Sequence, residues 1–301
     1  MQRITLAFLL FGFCAAAPAA WAEPCALNEV ASLDMSIDGD GHAAVPVSIA
    51  GSPFTLAVDT GSFSSMLSAS AVNALGLHPD YFDNVEVHMY GGARISQFVV
   101  APDLVIGRLR ASRVKLLVLP DSEVSNGMQG LLAADILRGY DDDFDFANAK
   151  LNLFEQSRCD GNLVYWTDDP AAEIPFKVDD VGHIEFTLSL DGKDIRATLD
   201  TGAADTVLDL ETAERLFGLD EKDPNLVVHH PGTDDRYYTY PFKTLTFGGV
   251  AVANPRLVLI PRGSHVYDGP EMLLGMGVLR RLHMYISYRQ RKLVVTAAAA
   301  H

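Results

Sequence analysis

Asp59-Thr60-Gly61 and Asp200-Thr201-Gly202 are two copies of one tripeptide, and the sequence around them decides the fold. A single copy would be weak evidence, because these three residue types are common enough to meet by chance in a chain of this length. The second copy is informative because both stand at the same place in a repeated segment. The repeat is therefore the basis for predicting both fold and chemistry.

The residues on both sides of the tripeptide repeat as well. With a shift of 141 positions, His42 falls on His183, Gly51 on Gly192, Leu67 on Leu208, Leu75 on Leu216 and Gly91 on Gly232. With a shift of 142, Leu131-Leu132 falls on Leu273-Leu274 and Lys150-Leu151 on Lys292-Leu293. A unit of about 135 residues has therefore been duplicated.

Each unit has the pattern of short strands separated by Gly, Asn, Asp and Pro turns, with only brief helical signals. In the first unit, 43–49 and 54–58 flank a turn at Gly51, and the second strand leads directly into Asp59. In the second unit, 184–190 and 195–199 do the same before Asp200. The sequence predicts an all-β protein of two lobes, each presenting one aspartate at the end of a buried strand.

Composition changes give the predicted domain boundaries. Residues 160–173 are rich in Asp, Gly, Asn and Pro and are the best linker candidate. We therefore predict an N-terminal lobe at 23–159 and a C-terminal lobe at 174–297.

Residues 1–22 have the layout of a secretory signal peptide. One basic residue, Arg3, precedes an apolar run at 6–13, and small residues end the segment at Ala20-Trp21-Ala22. The run is too short to span a bilayer, so we expect an exported protein, periplasmic or secreted, with no stable membrane insertion after cleavage. Cys14 follows the bulky Phe13, which argues against a lipidation site.

The charge balance excludes some partners. The chain has 23 Lys and Arg against 39 Asp and Glu, a formal charge of −16, and loss of Arg3 with the signal makes it −17. Such a surface repels phosphates, so we expect neither nucleic acid nor anionic lipid as a partner. His229-His230 has no cysteine or clustered carboxylate at ligand spacing, and we predict no metal site and no cofactor.

Two cysteines remain after signal cleavage, Cys25 and Cys159, at the two ends of the first unit. In an oxidising compartment such a pair usually forms a disulfide, which would join the ends of the N-terminal lobe. A pair of free buried thiols is the alternative.

Paired aspartates suit hydrolysis by water, because two carboxyl groups that share one proton provide both a general base and a general acid. The chain resembles the retropepsin and pepsin group of aspartic peptidases, and is most similar to bacterial retropepsin-like proteins. The segment 199–208, LDTGAADTVL, is similar to the active-site segment of retroviral proteases. The pattern Leu273-Leu274-Gly275, followed by Val278-Leu279-Arg280, resembles the apolar-apolar-Gly motif and short helix of that family.

The resemblance implies the acid-protease fold, in which two retropepsin-like β-barrel lobes are related by a pseudo-two-fold axis and act as a monomer on a peptide or protein substrate. The catalytic pair would be Asp59 and Asp200, supported by Thr60, Gly61, Thr201 and Gly202. Gly-tipped flaps would then lie 25 to 35 residues beyond each aspartate, and the substrate-binding candidates are Tyr90, Gly91 and Gly92, Pro231 and Gly232, and Asp205. Plain surface hairpins are the alternative for both flaps.

Two features of the sequence and two alternative functions are weighed against this assignment. Ala133 stands where the family motif has glycine, and its methyl group is expected to crowd the first active-site loop. Asp141, Asp142, Asp143 and Asp145 form an acidic cluster without a counterpart in the second unit, which is typical of a solvated turn. A non-catalytic peptide- or protein-binding module of the cell envelope, or a scaffold that dimerises through sheet edges, would share the fold, but neither explains two intact tripeptides.

Overall fold

The computed structural model describes residues 27–83, 87–89, 94–124, 127–156, 163–219, 222–231, 236–261 and 269–299. The strands of the first half are β1 (Glu29–Asp34), β2 (Ser36–Ile37), β3 (Ala43–Ile49), β4 (Ser52–Asp59), β5 (Met66–Ser68), β6 (Asp80–Tyr81), β7 (Val87–His88), β8 (Arg94–Ile95), β9 (Gln97–Ile106), β10 (Leu109–Leu119), β11 (Gly130–Ala133), β12 (Asp141–Asp145) and β13 (Lys150–Phe154). Its helices are α1 (Ala69–Ala74) and α2 (Ala134–Leu137), with a 3-10 turn at Asp121–Glu123.

The second half repeats this plan. Its strands are β14 (Ala172–Pro175), β15 (Lys177–Val178), β16 (Ile184–Leu190), β17 (Lys193–Leu199), β18 (Thr206–Asp209), β19 (Val227–His229), β20 (Tyr237–Thr239), β21 (Thr244–Phe247), β22 (Val250–Ala253), β23 (Leu257–Ile260), β24 (Met272–Leu274), β25 (Leu282–Ser287) and β26 (Lys292–Ala297). Its helices are α3 (Leu210–Phe217) and α4 (Met276–Leu279).

The strand pairing confirms the predicted all-β, two-lobed fold. In the first half β3, β4, β11, β5, β10 and β9 follow one another, and β9 pairs back onto β3, which closes a six-stranded barrel. In the second half β21, β16, β17, β24, β18 and β23 follow in the corresponding order. The counterpart of the long strand β10 is divided there into β22 and β23, because Pro255 has no amide hydrogen for the ladder.

The two halves share unusual backbone positions as well as sequence. Positive φ at a residue other than glycine is uncommon, yet it occurs at matching positions in both halves. Ala50 (φ 52°) corresponds to Asp191 (φ 44°), and Arg113 (φ 54°) corresponds to Asn254 (φ 47°). The duplicated unit therefore keeps its turn and bulge geometry even where the residue type has changed.

A six-stranded sheet joins the two halves, in the order β1-β13-β12-β25-β26-β14. Its central pair is β12 with β25, in which Phe144 lies opposite Met284. Both side chains are fully buried and belong to one hydrophobic core that draws residues from both halves. This shared sheet and core hold the two lobes together.

The acidic cluster is not a solvated turn, and that expectation was wrong. Asp141, Asp142, Asp143 and Asp145 lie in β12, and all four side chains are buried. They are tolerated because partners come from other strands: His283 Nε2 lies 2.7 Å from one Asp143 oxygen, and the Tyr165 hydroxyl donates to the other at 2.6 Å. The sequence of β12 alone does not reveal these partners.

The neighbouring carboxyl groups are less well satisfied. Burial raises the pKa of Asp141 to about 6, although hydrogen bonds from Ser287 and Tyr285 oppose the shift. Burial first, and then the charge of Asp141, raises the pKa of Asp142 well above its usual value. The Tyr288 hydroxyl interacts with the Asp142 carboxyl, but neither Asp142 oxygen makes a well-formed hydrogen bond within the described residues. The surroundings of Asp142 therefore favour the protonated carboxyl over the carboxylate.

We expect Asp142→Asn to stabilise the protein at neutral pH and to have little effect in acid. A carboxyl whose pKa is raised by folding favours the folded state at low pH, and this contribution is lost as the pH rises from 3.8 towards the raised pKa. The asparagine amide does not ionise, so the variant does not lose this stability as the pH rises. We expect the free energy of unfolding near pH 8 to be about 1–3 kcal/mol higher than that of the parent. Thermal melts of both proteins between acid and neutral pH measure it.

The matched control is Asp143→Asn, one residue along the same strand. It removes a buried acceptor for His283 and Tyr165, so it should destabilise the fold throughout this pH range. A pH-independent difference between Asp142→Asn and the parent would contradict the proposed buried neutral carboxyl.

Several predicted features lie outside the described residues. They are the signal peptide 1–22, Cys25, Cys159, Tyr90, Gly91, Gly92 and Gly232. Of the predicted linker 160–173, the described part packs on the joining sheet, where the Trp166 ring stacks on His283 at 4.2 Å. Within the described ranges, no helix has the length and apolar character needed to cross a membrane.

Candidate active site

The two Asp-Thr-Gly loops meet at the interface of the lobes. Asp59 ends β4, and Asp200 directly follows β17, so each is held by a buried strand of its own barrel. Both residues are buried, with 8% and 6% of their surface exposed, and the charge of Asp59 acts on the Asp200 carboxyl. The fold thus brings together two residues that are 141 positions apart in the sequence.

The two threonines fix this contact by bonding across the interface. The Thr60 hydroxyl donates to the Leu199 carbonyl at 3.0 Å and accepts from the Thr201 amide at 3.1 Å. The Thr201 hydroxyl makes the reciprocal bonds, to the Val58 carbonyl at 2.7 Å and from the Thr60 amide at 3.1 Å. Four buried bonds therefore lock each loop onto the strand of the other lobe.

Each aspartate is oriented by amides of its own loop. One Asp59 oxygen accepts from Gly61 and Ser62, both at 2.9 Å. One Asp200 oxygen accepts from Gly202 at 2.9 Å and from Ala203 at 3.0 Å. These bonds hold the two carboxyl planes in place before any substrate binds.

Ser62 breaks the symmetry of the pair. Its hydroxyl donates to the second Asp59 oxygen at 2.7 Å, and the corresponding residue in the other loop, Ala203, has no hydroxyl. Asp59 therefore accepts one more loop hydrogen bond than Asp200. Such donors stabilise a charged carboxylate, so the two carboxyl groups are not equivalent in their surroundings.

Burial and the neighbouring charge of Asp59 raise the pKa of Asp200 to about 8, against the opposing effect of the Gly202 and Ala203 amides. Two carboxyl groups this close cannot both ionise cheaply, so Asp200 keeps its proton to a higher pH than an isolated aspartate does. The paired aspartates of aspartic proteases are the established example of this behaviour, and the same physical reasoning applies to Asp59 and Asp200.

Gly61 and Gly202 are required by the close approach of the opposite aspartate. A Cβ atom added at Gly61 would lie 2.3 Å from the Asp200 Cγ, and one at Gly202 would lie 2.4 Å from the Asp59 Cγ. Neither position has room for a methyl group. The glycines thus allow the two loops to approach closely enough for the carboxyl groups to interact.

Ala133 is buried beside a loop that is anchored differently from its counterpart in the second lobe. At its counterpart Gly275, an added Cβ would lie 2.2 Å from the Asp205 carbonyl oxygen. In the first half Asp135 anchors the loop, because its carboxylate accepts from the Ser65 amide at 2.9 Å and the Ser65 hydroxyl at 2.7 Å. The residue corresponding to Asp135 is Gly277, so this anchor belongs to the first lobe.

The strands on either side of the flap candidates pair as hairpins, and most of the candidates themselves are outside the described ranges. Strands β7 and β8 pair antiparallel on either side of Tyr90, Gly91 and Gly92, and β19 and β20 do so around Pro231 and Gly232. Pro231 is exposed. At the base of the first hairpin, Val87 and Met89 pack on an apolar cluster that includes Met66 beside the first loop.

Asp205 lines a cavity of about 700 Å³ in the C-terminal lobe, next to the second loop. Other residues of this cavity, among them His229, Thr239 and Arg256, were not singled out by the sequence as a site. These residues form no motif in the sequence. They stand out only when the strands of the two halves are compared. The sequence also did not indicate that Ser62 orients Asp59 or that Asp135 anchors the first loop, because neither residue belongs to a recognisable motif.

Comparison with known proteins assigns the chain to a family. The family model described as "Aspartyl protease" matches twice, at residues 45–136 and 186–278, which together make up more than half of the chain. The chain belongs to the aspartyl protease family. The two matches coincide with the two duplicated units and bear out the resemblance to retropepsin-like proteins.

A curated relative gives no further information on activity. It is described as an uncharacterized protein in the cobV 5′ region of Sinorhizobium sp., and is 32% identical over 105 residues, which are 34% of this chain. The chain spans less than half of that relative, 43% of its length. The family assignment therefore rests on the duplicated match.

Proposed function

We propose that the chain is an aspartic endopeptidase that is exported from the cell and hydrolyses peptide bonds with a water activated by Asp59 and Asp200. The observation that carries this proposal is the contact of the two buried carboxyl groups, held by four threonine hydrogen bonds across the lobe interface. Membership of the aspartyl protease family supports a peptidase.

In the proposed mechanism the charged Asp59 carboxylate takes a proton from a water placed between the two groups, and the water oxygen attacks the peptide carbonyl carbon. The protonated Asp200 gives its proton to the carbonyl oxygen, which forms a neutral tetrahedral intermediate. Asp59 then returns a proton to the leaving nitrogen as the carbon–nitrogen bond breaks, and Asp200 takes a proton back from one hydroxyl of the intermediate, which leaves a carboxylic acid and restores the starting pair. Ser62 fits this division because its hydroxyl stabilises charge on Asp59.

The raised pKa of Asp200 sets an expectation for pH. The general acid must carry a proton, and the general base must be a charged carboxylate. Activity should therefore extend over the pH range in which the two carboxyl groups share one proton. We therefore propose a profile that is broad through acid pH and falls as the pair loses its last proton above neutrality.

The functional experiment uses the purified chain beginning at Glu23 and a mixture of denatured proteins, sampled from about pH 3 to about pH 8. The peptidase proposal expects new peptide ends in the mixture and none with Asp59→Asn. Binding of peptides without cleavage at any pH would instead favour the envelope-binding alternative. The intact dyad supports hydrolysis over that alternative, since binding alone requires no shared proton.

One molecule contains both aspartates, so we propose that the monomer is the active form and that its substrate is an extended peptide or an unfolded protein segment. We propose export from the apolar layout of residues 1–22. Periplasmic or secreted location both follow from such a signal.

We predict a disulfide between Cys25 and Cys159 in the exported chain. The described residues beside them support it, because β1 pairs antiparallel with β13 and the Glu155 amide donates to the Asn28 carbonyl at 2.9 Å. Closing a loop of more than 100 residues stabilises by up to about 4–5 kcal/mol in the chain-entropy description. Thiol titration of the denatured, unreduced chain should find no free thiol, and two after reduction. Two free thiols before reduction would exclude the bond.

A further inference from the structure

A groove of about 530 Å³ lies beside strand β22 of the C-terminal lobe. Gly249, Val250 and Ala251 form one wall, and the linker and the end of β26 form the other. None of its described lining residues belongs to the catalytic loops or to the hairpins beyond them. The groove is therefore separate from the catalytic site at Asp59 and Asp200.

Strand β22 has a free edge on the side of this groove. Within the described residues it is the last strand of its sheet and pairs with β21, and no residue of β21 lines the groove. Phe247 and Val250 flank a two-residue turn and face each other, so they exchange their main-chain hydrogen bonds. Alternation along the strand then directs the N–H and C=O groups of Ala251 and Ala253 away from β21. These groups are able to pair with an added strand.

The first lobe has the same hairpin in an equivalent place. The shift of 141 positions puts Gly107 on Gly248, and both glycines have positive φ, 57° and 54°. A Cβ atom added at Gly107 would lie 3.1 Å from the Ala31 Cβ of the outer strand β1. One added at Gly248 would lie 2.4 Å from the Ile174 Cγ1 of the outer strand β14. Each hairpin turn therefore rests on an outer strand of the joining sheet, and the two edges can be compared residue by residue.

Two arginines close this edge in the first lobe. The Arg108 guanidinium donates to the Glu29 carbonyl at 3.1 Å, so its side chain spans the gap from the hairpin to β1. Arg110 puts a second charge on the edge strand, in an ion pair of 2.6 Å with Asp103. Charged side chains at the edge of a sheet disfavour the addition of another strand.

Both arginines are replaced in the second lobe by residues that leave the edge open. Gly249 stands in the place of Arg108, and Ala251 stands in the place of Arg110. Because glycine has no side chain to span the gap, the groove lies there. The exposed residues of β22, Ala251 and Ala253, are small and uncharged. The second lobe thus lacks the charges that disfavour strand pairing in the first.

The linker side of the groove is held in place by side-chain contacts. The Trp166 ring stacks on the His283 ring, with 4.2 Å between centroids and 6° between planes. The Trp166 Nε1 donates to the Thr296 hydroxyl at 2.9 Å, and all three residues line the groove. The groove is therefore formed before a partner binds, which lowers the entropic cost of docking.

Charge and polarity of the lining select the kind of segment that fits. Asp169 lines the groove, and neither lysine nor arginine is among its described lining residues. The whole chain has a formal charge of −16. An acidic segment is therefore repelled, whereas a basic side chain is attracted by Asp169. Small apolar side chains have Pro170, Val250 and Val295 to pack on.

We propose that this groove is a docking site at which an extended segment of a partner protein adds a strand to β22. The segment carries small apolar side chains and a basic residue, and its main chain pairs with Ala251 and Ala253 while one apolar side chain enters the groove. A segment of about four residues matches the length of β22. Docking there does not depend on the proposed peptidase function, because no catalytic group takes part.

The test selects random peptides displayed on phage for binding to the Asp200→Asn chain that begins at Glu23, so that the target does not cleave them. The selected peptides are synthesised, and their Kd values are measured by fluorescence anisotropy. We expect apolar peptides with a basic residue whose Kd rises about tenfold with Ala251→Pro, because proline removes the outward N–H and leaves the pairing with β21 intact. Ala251→Val keeps that N–H and is the matched control, which should bind like the parent.

Two further variants separate docking from a loss of fold. Ala251→Arg copies the first lobe without constraining the main chain, and it should weaken the same peptides while keeping the parental melting temperature. Asp169→Asn should weaken the basic peptides and leave neutral ones unchanged. With Asp200 intact, Ala251→Arg should hydrolyse a short peptide at the parental rate, since the groove is separate from the catalytic site.

Three results would overturn the proposal. The first is a set of selected peptides that bind equally to Ala251→Pro, Ala251→Arg and Ala251→Val. The second is a set of β22-dependent peptides that are acidic. The third is a dimer of the chain that Ala251→Arg dissociates, which would make a second copy the occupant of this edge. Absence of hydrolysis by the parent would contradict the peptidase and leave the binding results as they are.

Discussion

Asp59→Asn and Asp200→Asn are each expected to lower peptide hydrolysis by more than about a hundredfold. An amide in either position cannot take part in the sharing of one proton between two carboxyl groups, and the pair acts as a unit, so the double variant should be little worse than either single one. The measurement is kcat/KM on one fluorogenic peptide with purified chains. Near-parental turnover by either variant would rule out the dyad.

A loss of activity must be separated from a loss of fold. Because burial and Asp59 raise the pKa of Asp200 to about 8, the protonated pair favours the folded state at low pH, and this contribution is lost as the pH rises from 3.8 through about 8. Asp200→Asn should therefore melt at a temperature equal to or above that of the parent at neutral pH. Asp40→Asn, a change at an exposed aspartate, should leave both activity and melting unchanged.

Gly61→Ala and Gly202→Ala are expected to reduce activity by about a hundredfold or more without touching a titrating group. The added methyl would lie 2.3 Å or 2.4 Å from the opposite carboxyl carbon, so the loops must separate, and a displacement of about 1 Å at reacting groups costs about a hundredfold. Overpacking of this kind should also lower stability by about 1–3 kcal/mol.

Gly39→Ala is the matched control, since its added methyl meets no atom within 4 Å. It should keep the parental rate and melting temperature. The pH profile gives a second measurement. Carboxyl groups that are further apart repel each other less, so the pKa of Asp200 should be lower in Gly202→Ala. The residual activity of this variant should therefore fall at a lower pH than the activity of the parent. An alanine variant with the parental rate and profile would show that close approach of the loops is not needed.

The two lobes have diverged at residues around the catalytic loops since the duplication. Two identical lobes would form a symmetric cleft, whereas Ser62, Asp135 and Arg256 differ from their counterparts Ala203, Gly277 and Lys115. The first two differences concern the loop that bears Asp59, and the third concerns the wall beyond Asp200. Divergence after duplication has therefore made the surroundings of the two aspartates different.

The sequence by itself determined the duplicated β-rich plan and the pairing of Asp59 with Asp200. It could do so because strand alternation, turn residues and a repeated tripeptide are local patterns, and the same local pattern in two copies implies the same local structure twice.

Only the tertiary structure decided which polar groups are buried and which spaces are left empty. The sequence favoured a solvated turn at 141–145, yet β12 pairs with β25 at the centre of the joining sheet. There His283 and Tyr165 are hydrogen-bond partners of Asp143, and Asp142 has no well-formed hydrogen bond within the described residues. The cavity beside Asp205 is likewise lined by residues from separate strands, among them His229 and Val258. Burial and empty space depend on contacts between residues far apart in the chain, and a local pattern carries no record of them.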